Sequence, residues 1–139
     1  MRLLLLIPAI LLAAFVILSL LSQRGKATGL VDGRLAPLSS KPNAVSSEDG
    51  TDSARRVEPF HADREAIRAA VEATGGTVTE DRDDYIGATY TTRLMRFVDD
   101  VEFRRDGAVW QVRSASRVGH SDMGANRKRV ETLRAALGS

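Results

Sequence analysis

Phe97-Val98-Asp99-Asp100-Val101-Glu102-Phe103-Arg104-Arg105-Asp106-Gly107-Ala108-Val109-Trp110-Gln111-Val112-Arg113-Ser114 is the stretch whose reading decides the fold. Two β-rich runs flank Asp106-Gly107, a dipeptide suited to tight two-residue hairpins because glycine accepts a positive φ. With that pair as the turn, Arg105 faces Ala108. Counting outward, Phe103 opposes Trp110, Val101 opposes Val112 and Asp99 opposes Ser114 on one face of the hairpin. Glu102 opposes Gln111 and Asp100 opposes Arg113 on the other. A slip of one residue would bury the charges and expose Trp110, so the pattern itself specifies which face is core.

Helical periodicity brackets this hairpin. Between Asp63 and Thr74, Ile67, Ala70, Val71 and Thr74 recur at i, i+3, i+4 and i+7, opposite Arg64, Glu65, Arg68 and Glu72, and Gly75-Gly76 ends the run. Thr77 to Asp81, running on into Tyr85 to Thr92, reads as one extended segment before the hairpin. After it, Ser121 or Asp122 caps a last helix that reaches Leu137, with Met123, Val130, Leu133 and Leu137 inward. The order helix, strands, helix gives an α+β domain from residue 57 to 139, with a small antiparallel sheet of about three to four strands and two helices on one face.

Ahead of the domain, Leu3 to Leu21 is apolar throughout except Ser19, with Pro8 the one helix breaker. Nineteen residues at about 1.5 Å each match the ~30 Å hydrocarbon layer, so residues 1–22 are expected to form a single transmembrane anchor. A cleaved secretory signal competes with it; the run exceeds the usual apolar core of a signal, and no small-residue cleavage site follows it. Arg2 precedes the segment, and Arg24, Lys26 and Arg34 follow it, so the positive-inside rule votes weakly or even against export. The two-residue tail before a signal-like core sets the expectation of an extracytoplasmic domain. Residues 23–56, rich in Ser, Gly, Asp and basic residues, read as a flexible tether. Its denser patch of Leu30, Val31, Leu35, Pro37 and Leu38 either docks on the domain or is scattered apolar content in a linker.

Composition excludes several classes of function. The 139 residues carry a formal charge of +2, but residues 57–139 hold thirteen Arg or Lys against fourteen Asp or Glu, a near balance that disfavours nucleic acid as partner. The absence of cysteine excludes disulfides, thiol catalysis and thiolate metal sites. His61 and His120 lie far apart without a ligand cluster, so no metal and no cofactor is expected, and no nucleotide loop or nucleophile elbow is present.

Two constellations are candidate sites. Asp99, Ser114 and Ser116 share the core-facing side of the hairpin, where Asn126, Arg127 and Arg129 from the last helix can reach them; a carboxylate there must be hydrogen-bonded or open to a cleft. This cluster is either a ligand pocket or a network that fixes the helix on the sheet. On the opposite face, Asp100, Arg113 and Arg117 form a candidate anion or ion-pair surface. Asp100 and Glu102, about 7 Å apart on strand geometry, could serve as an acid/base pair. They could equally be spent on ion pairs, Asp100 with Arg113 and Glu102 with Arg104 or Gln111, which would lower rather than raise a carboxylate's pKa.

Three longer stretches carry a family resemblance. Pro42-Asn43-Ala44-Val45-Ser46-Ser47, Phe97 to Phe103, and Val112-Arg113-Ser114-Ala115-Ser116-Arg117-Val118-Gly119-His120-Ser121-Asp122-Met123-Gly124-Ala125-Asn126-Arg127-Lys128-Arg129 together resemble the uncharacterised family called domain of unknown function 1499. The resemblance covers about two thirds of the chain. It implies a small protein, often with an N-terminal membrane or export segment, and no established activity. Where many such proteins have Cys in the first stretch this chain has Ala44, and where an aromatic commonly follows Val-Gly it has His120. The function expected from all this is a non-catalytic, membrane-tethered binding or assembly module of the cell envelope, with an envelope protein or a small anionic ligand as partner. A hydrolase-like enzyme using Asp99, Asp100 or Glu102 is the alternative.

Overall fold

The computed structural model describes residues 2–138. In chain order it contains α1 (Arg2–Arg24), β1 (Leu30–Val31), β2 (Arg34–Leu35), β3 (Ala44–Ser46), α2 (Arg64–Ala73), β4 (Thr77–Asp81), β5 (Tyr85–Thr91), β6 (Val98–Asp106), β7 (Val109–Ser116) and α3 (Ala125–Ala136). The α+β class holds, with a larger sheet than expected: five antiparallel strands in the order β3-β7-β6-β5-β4, and β1-β2 as a separate pair. The segment read as continuous from Thr77 to Thr92 is a hairpin, because Arg82, Asp83 and Asp84 turn the chain and Arg82 N–H donates to the Tyr85 carbonyl.

The β6–β7 hairpin is offset from the expected register by two residues. Its turn residues are Gly107, with φ +61°, and Ala108, so Asp106 pairs with Val109, Phe103 with Val112, Val101 with Ser114 and Asp99 with Ser116. A two-residue offset preserves the pleat, and each side chain keeps its expected face while changing its partner.

On the first face the apolar core forms as the pattern dictates. Phe103, Val101, Trp110 and Val112 from the hairpin and Ile86 and Ala88 from β5 meet Ile67, Ala70 and Val71 of α2 and Val130 and Leu133 of α3. Asp63 caps α2, its carboxylate accepting the Ala66 N–H at 2.7 Å, and Gly75 closes the helix in the left-handed region at φ +91°. The next glycine is needed for space: a Cβ on Gly76 would lie 2.6 Å from the Tyr90 ring and 2.7 Å from Val71. At α3 two expectations change. The helix starts at Ala125, its first turn tied by the Asp122 carboxylate to Asn126 N–H at 3.2 Å, and Met123 points outward, 96% exposed, with φ +53°.

The second face is not open to water. The stretch expected to be a flexible tether is built into the fold across it. β3 adds to the sheet edge beside β7, Phe60 extends that edge by exchanging two backbone hydrogen bonds with Trp110, and Leu35 and Ala36 are buried. The link to α1 is direct. The Ser22 hydroxyl, fully buried, accepts the Val98 N–H at 2.6 Å and donates to the Val98 carbonyl at 3.3 Å, while Arg117 Nη1 donates to the Ser22 carbonyl at 3.0 Å. From Leu4 to Arg24, α1 is long and apolar enough to cross a membrane, and its apolar 18-residue stretch is not buried against the domain.

Candidate functional site

Alternation along β6 sends Asp99 to the core face and Asp100 and Glu102 to the face covered by residues 22–36. The three carboxylates therefore belong to two separate sites, and an arginine engages each of them.

At the covered face, Glu102 has no solvent exposure. Its Oε1 accepts from the Tyr85 hydroxyl at 2.8 Å and from Gly29 N–H at 2.7 Å, and its Oε2 accepts from Arg113 Nη1 at 3.3 Å. Arg113 also donates through Nε to the Ala36 carbonyl at 3.0 Å. Burial, and then the charge of Glu102, push the Tyr85 phenol well above its usual pKa, so it stays a donor. Asp100 pairs with Arg117, not with Arg113 as expected: Nε and Nη2 each donate at 2.7 Å in a bidentate fork. Arg104, expected beside Glu102, reaches instead to the buried Glu48, at 2.6 Å through Nε and 3.1 Å through Nη2. The candidate anion face is thus occupied by the protein's own carboxylates.

At the core face, the expected polar cluster assembles around Asn126, which is fully buried. Its Oδ1 accepts from the Ser114 hydroxyl at 2.6 Å and from Arg129 Nη1 at 3.0 Å. Its Nδ2 donates to the Ser116 hydroxyl at 2.9 Å, the Asn43 carbonyl at 3.0 Å and the Asp122 carboxylate at 2.8 Å. Asp99 joins through Arg129 Nη2, 2.9 Å from its Oδ2, and through the Ser116 hydroxyl. Ser114 lies opposite Val101, so it couples to Asp99 only by way of Asn126. Arg127 is not a member; it turns away to the Ala54 and Arg56 carbonyls. Asn43 and Asp122 are members that the reading of the sequence missed, although both stand in the stretches that carry the family resemblance.

This cluster borders a groove. A cleft of about 340 Å³ is lined by Phe15 and Leu18 of α1 and by Phe97, Val118 and Met123, with Asp99, Ser116 and Asp122 among its polar members. Burial raises the pKa of Asp99, against the opposing pull of Arg129 and of Ser116. The folded state therefore binds the Asp99 proton more tightly than the unfolded chain does. Its contribution to stability is most favourable below the unfolded value near 3.9 and is lost as pH rises through the raised folded value. Asp99→Asn mimics the neutral form, so its stability relative to the parent chain should improve from pH 4 to pH 8. Denaturant titrations of the full chain in detergent at both pH values measure this, and a difference independent of pH would show that Arg129 fully compensates the burial.

The family model for proteins of unknown function DUF1499 matches residues 34–137, about three quarters of the chain. The chain belongs to the DUF1499 family. No curated protein matches it. The DUF1499 match begins at β2 and ends one residue past α3, so it takes in β3, Asn43, Glu48 and the last three residues of the covering stretch, 34–36. That extent agrees with the fold, in which those residues complete the sheet and both polar clusters. Among the described residues, no group of three or more His, Cys, Asp or Glu is placed to hold a metal ion.

Proposed function

We propose that this DUF1499 protein is a non-catalytic, membrane-tethered binding or assembly module of the cell envelope. In this reading α1 spans the membrane, the domain lies on the extracytoplasmic side, and the binding site is the groove between α1 and the Asp99 cluster. The observation that carries it is the pairing of the acids. Asp100 is held by Arg117, Glu102 by Arg113 and Asp99 by Arg129, whereas a hydrolytic acid or base needs a lone pair or proton directed at substrate. A groove with apolar walls and a few fixed polar groups is the form of a binding site.

One observation favours the enzyme as a second reading. Asp99 lines the groove with a raised pKa, and Asp122 lies close enough to contribute to that rise. Asp100 and Glu102 are buried beneath residues 22–36 and have no part in it.

The test joins topology to chemistry. Alkaline phosphatase fused after Ser139 should be active and remain in carbonate-washed membranes, and the purified chain without the fusion should turn over no chromogenic ester, phosphate or glycoside. An inactive fusion overturns the orientation, and its release by carbonate overturns the anchor. Turnover abolished by Asp99→Asn would establish the enzyme instead.

A further inference from the structure

We infer that the occupant of the groove is the bilayer itself: the loops at residues 92–97 and 118–124 dip into the membrane interface beside α1, with lipid acyl chains against Leu94, Phe97, Val118 and Met123. This rests on α1 spanning the membrane and names the partner of the site proposed above.

Exposure gives the first argument. Among the described residues beyond α1, the large apolar side chains that are exposed are Val31, Leu94 and Met123, and the last two, at 88% and 96%, project from these two loops. Their backbones hold them outward. Thr92 closes its loop by donating N–H to the Phe97 carbonyl at 2.9 Å, with Arg96 at φ +57°, and Met123 itself has φ +53°. Left-handed conformations at non-glycine residues cost about 1–2 kcal/mol each, and nothing inside the domain gains from displaying leucine and methionine to water.

Depth gives the second argument. The Ser22–Val98 hydrogen bonds and Arg117 clamp the end of α1 to the domain, so the height of the loops relative to the helix is set. Phe15 and Leu18 line the same groove as Val118 and Met123. They lie six and three residues before Leu21, the last apolar residue of the span, which is about 9 and 5 Å along the helix axis. If Leu21 marks the hydrocarbon boundary, the loops beside those residues reach about 5–10 Å inward, the depth at which interfacial segments bury their apolar faces.

Charge gives the third. Arg93 and Arg96 flank Leu94 and are exposed, as is Arg24 at the end of α1. Long basic side chains there can rise to lipid phosphates while their neighbours stay submerged.

The absence of native cysteine makes site-specific labelling direct. Four full-length variants, Leu11→Cys, Leu94→Cys, Met123→Cys and Gly107→Cys, each carry an environment-sensitive fluorophore and are reconstituted into phosphatidylethanolamine and phosphatidylglycerol vesicles containing spin-labelled lipid. Gly107 follows the far end of β6, about 30 Å along the strand from Val98. Probes at 94 and 123 should be quenched by shallow spin labels about threefold or more beyond the probe at 107, and the probe at 11 by deep labels. Quenching at 11 with 94 and 123 no different from 107 overturns the inference and leaves the anchor standing. An unquenched probe at 11 overturns the anchor and this inference together.

Discussion

Glu102→Ala should destabilise the domain by about 3–5 kcal/mol, the cost of stripping the partner from a buried charge and leaving the other charge uncompensated. The side chain has no exposure and joins three parts of the chain: Tyr85 on β5, Arg113 on β7 and Gly29 from the covering stretch. Its removal strands the Arg113 guanidinium against the sheet and frees the Gly29 amide and the Tyr85 phenol. Residues 25–36 should consequently become sensitive to limited proteolysis before the rest of the domain does. Glu102→Gln should cost less, since an amide oxygen can still accept from Tyr85 and Gly29. A double-mutant cycle with Tyr85→Phe should then show coupling of the order of 0.5–3 kcal/mol. An unfolding midpoint for Glu102→Ala equal to that of the parent chain would mean that this face is wet.

The second large effect is expected at Trp110. Trp110→Ala should cost about 3–5 kcal/mol, as loss of a buried aromatic does, the exact value depending on how far the site collapses. Trp110 is 4% exposed in the core with Phe60, Phe103 and Val112, and its backbone exchanges hydrogen bonds with Phe60, whose ring packs tilted against Phe103 with centroids 5.8 Å apart. The substitution opens a cavity where the segment leading into α2 meets the sheet. Denaturant unfolding of the detergent-solubilised chain measures it, and a change below 1 kcal/mol would place the ring outside the core.

These two positions mark what could and could not be read from the sequence. Trp110 was legible because Val101 and Phe103 alternate with Asp100, Glu102 and Arg104 on one strand and Trp110 and Val112 with Gln111 and Arg113 on the other, and alternation assigns a face even when the pairing is two residues out. The turn was misplaced because Asp106-Gly107 satisfies the preference for a left-handed residue, whereas in the fold that residue is the first of the turn pair, with Ala108 as the second. Glu102 was not legible as buried. A charged strand face normally marks solvent, and only the arginines and the covering backbone make its burial tolerable. The covering stretch was hidden for a related reason: its Ser-, Gly- and Asp-rich composition promises little apolar burial, and what fixes it is main-chain and carboxylate hydrogen bonding, as between Leu35 N–H and Glu48 Oε1 at 3.1 Å. Asp99, Ser114, Ser116, Asn126 and Arg129 of the cluster were anticipated because Asn126 lies one helical turn before Val130 and so faces the sheet, whereas Arg127 was wrongly included and Asn43 and Asp122 were missed. The wiring of the cluster was not anticipated, since that depends on a register only the fold supplies.

The clamp of Ser22 on Val98 also changes how this protein would meet anything it binds. A free linker of the length of residues 23–56, about thirty-four residues, would let a domain wander by about 30 Å root-mean-square, sampling a hemisphere of aqueous space above its attachment point. Fastened at the end of its helix, the domain keeps one height and one tilt. If that helix is a membrane span, encounters become a search in two dimensions, among molecules that share the same sheet of lipid, and the site's effective concentration for them is set by lateral density rather than by volume.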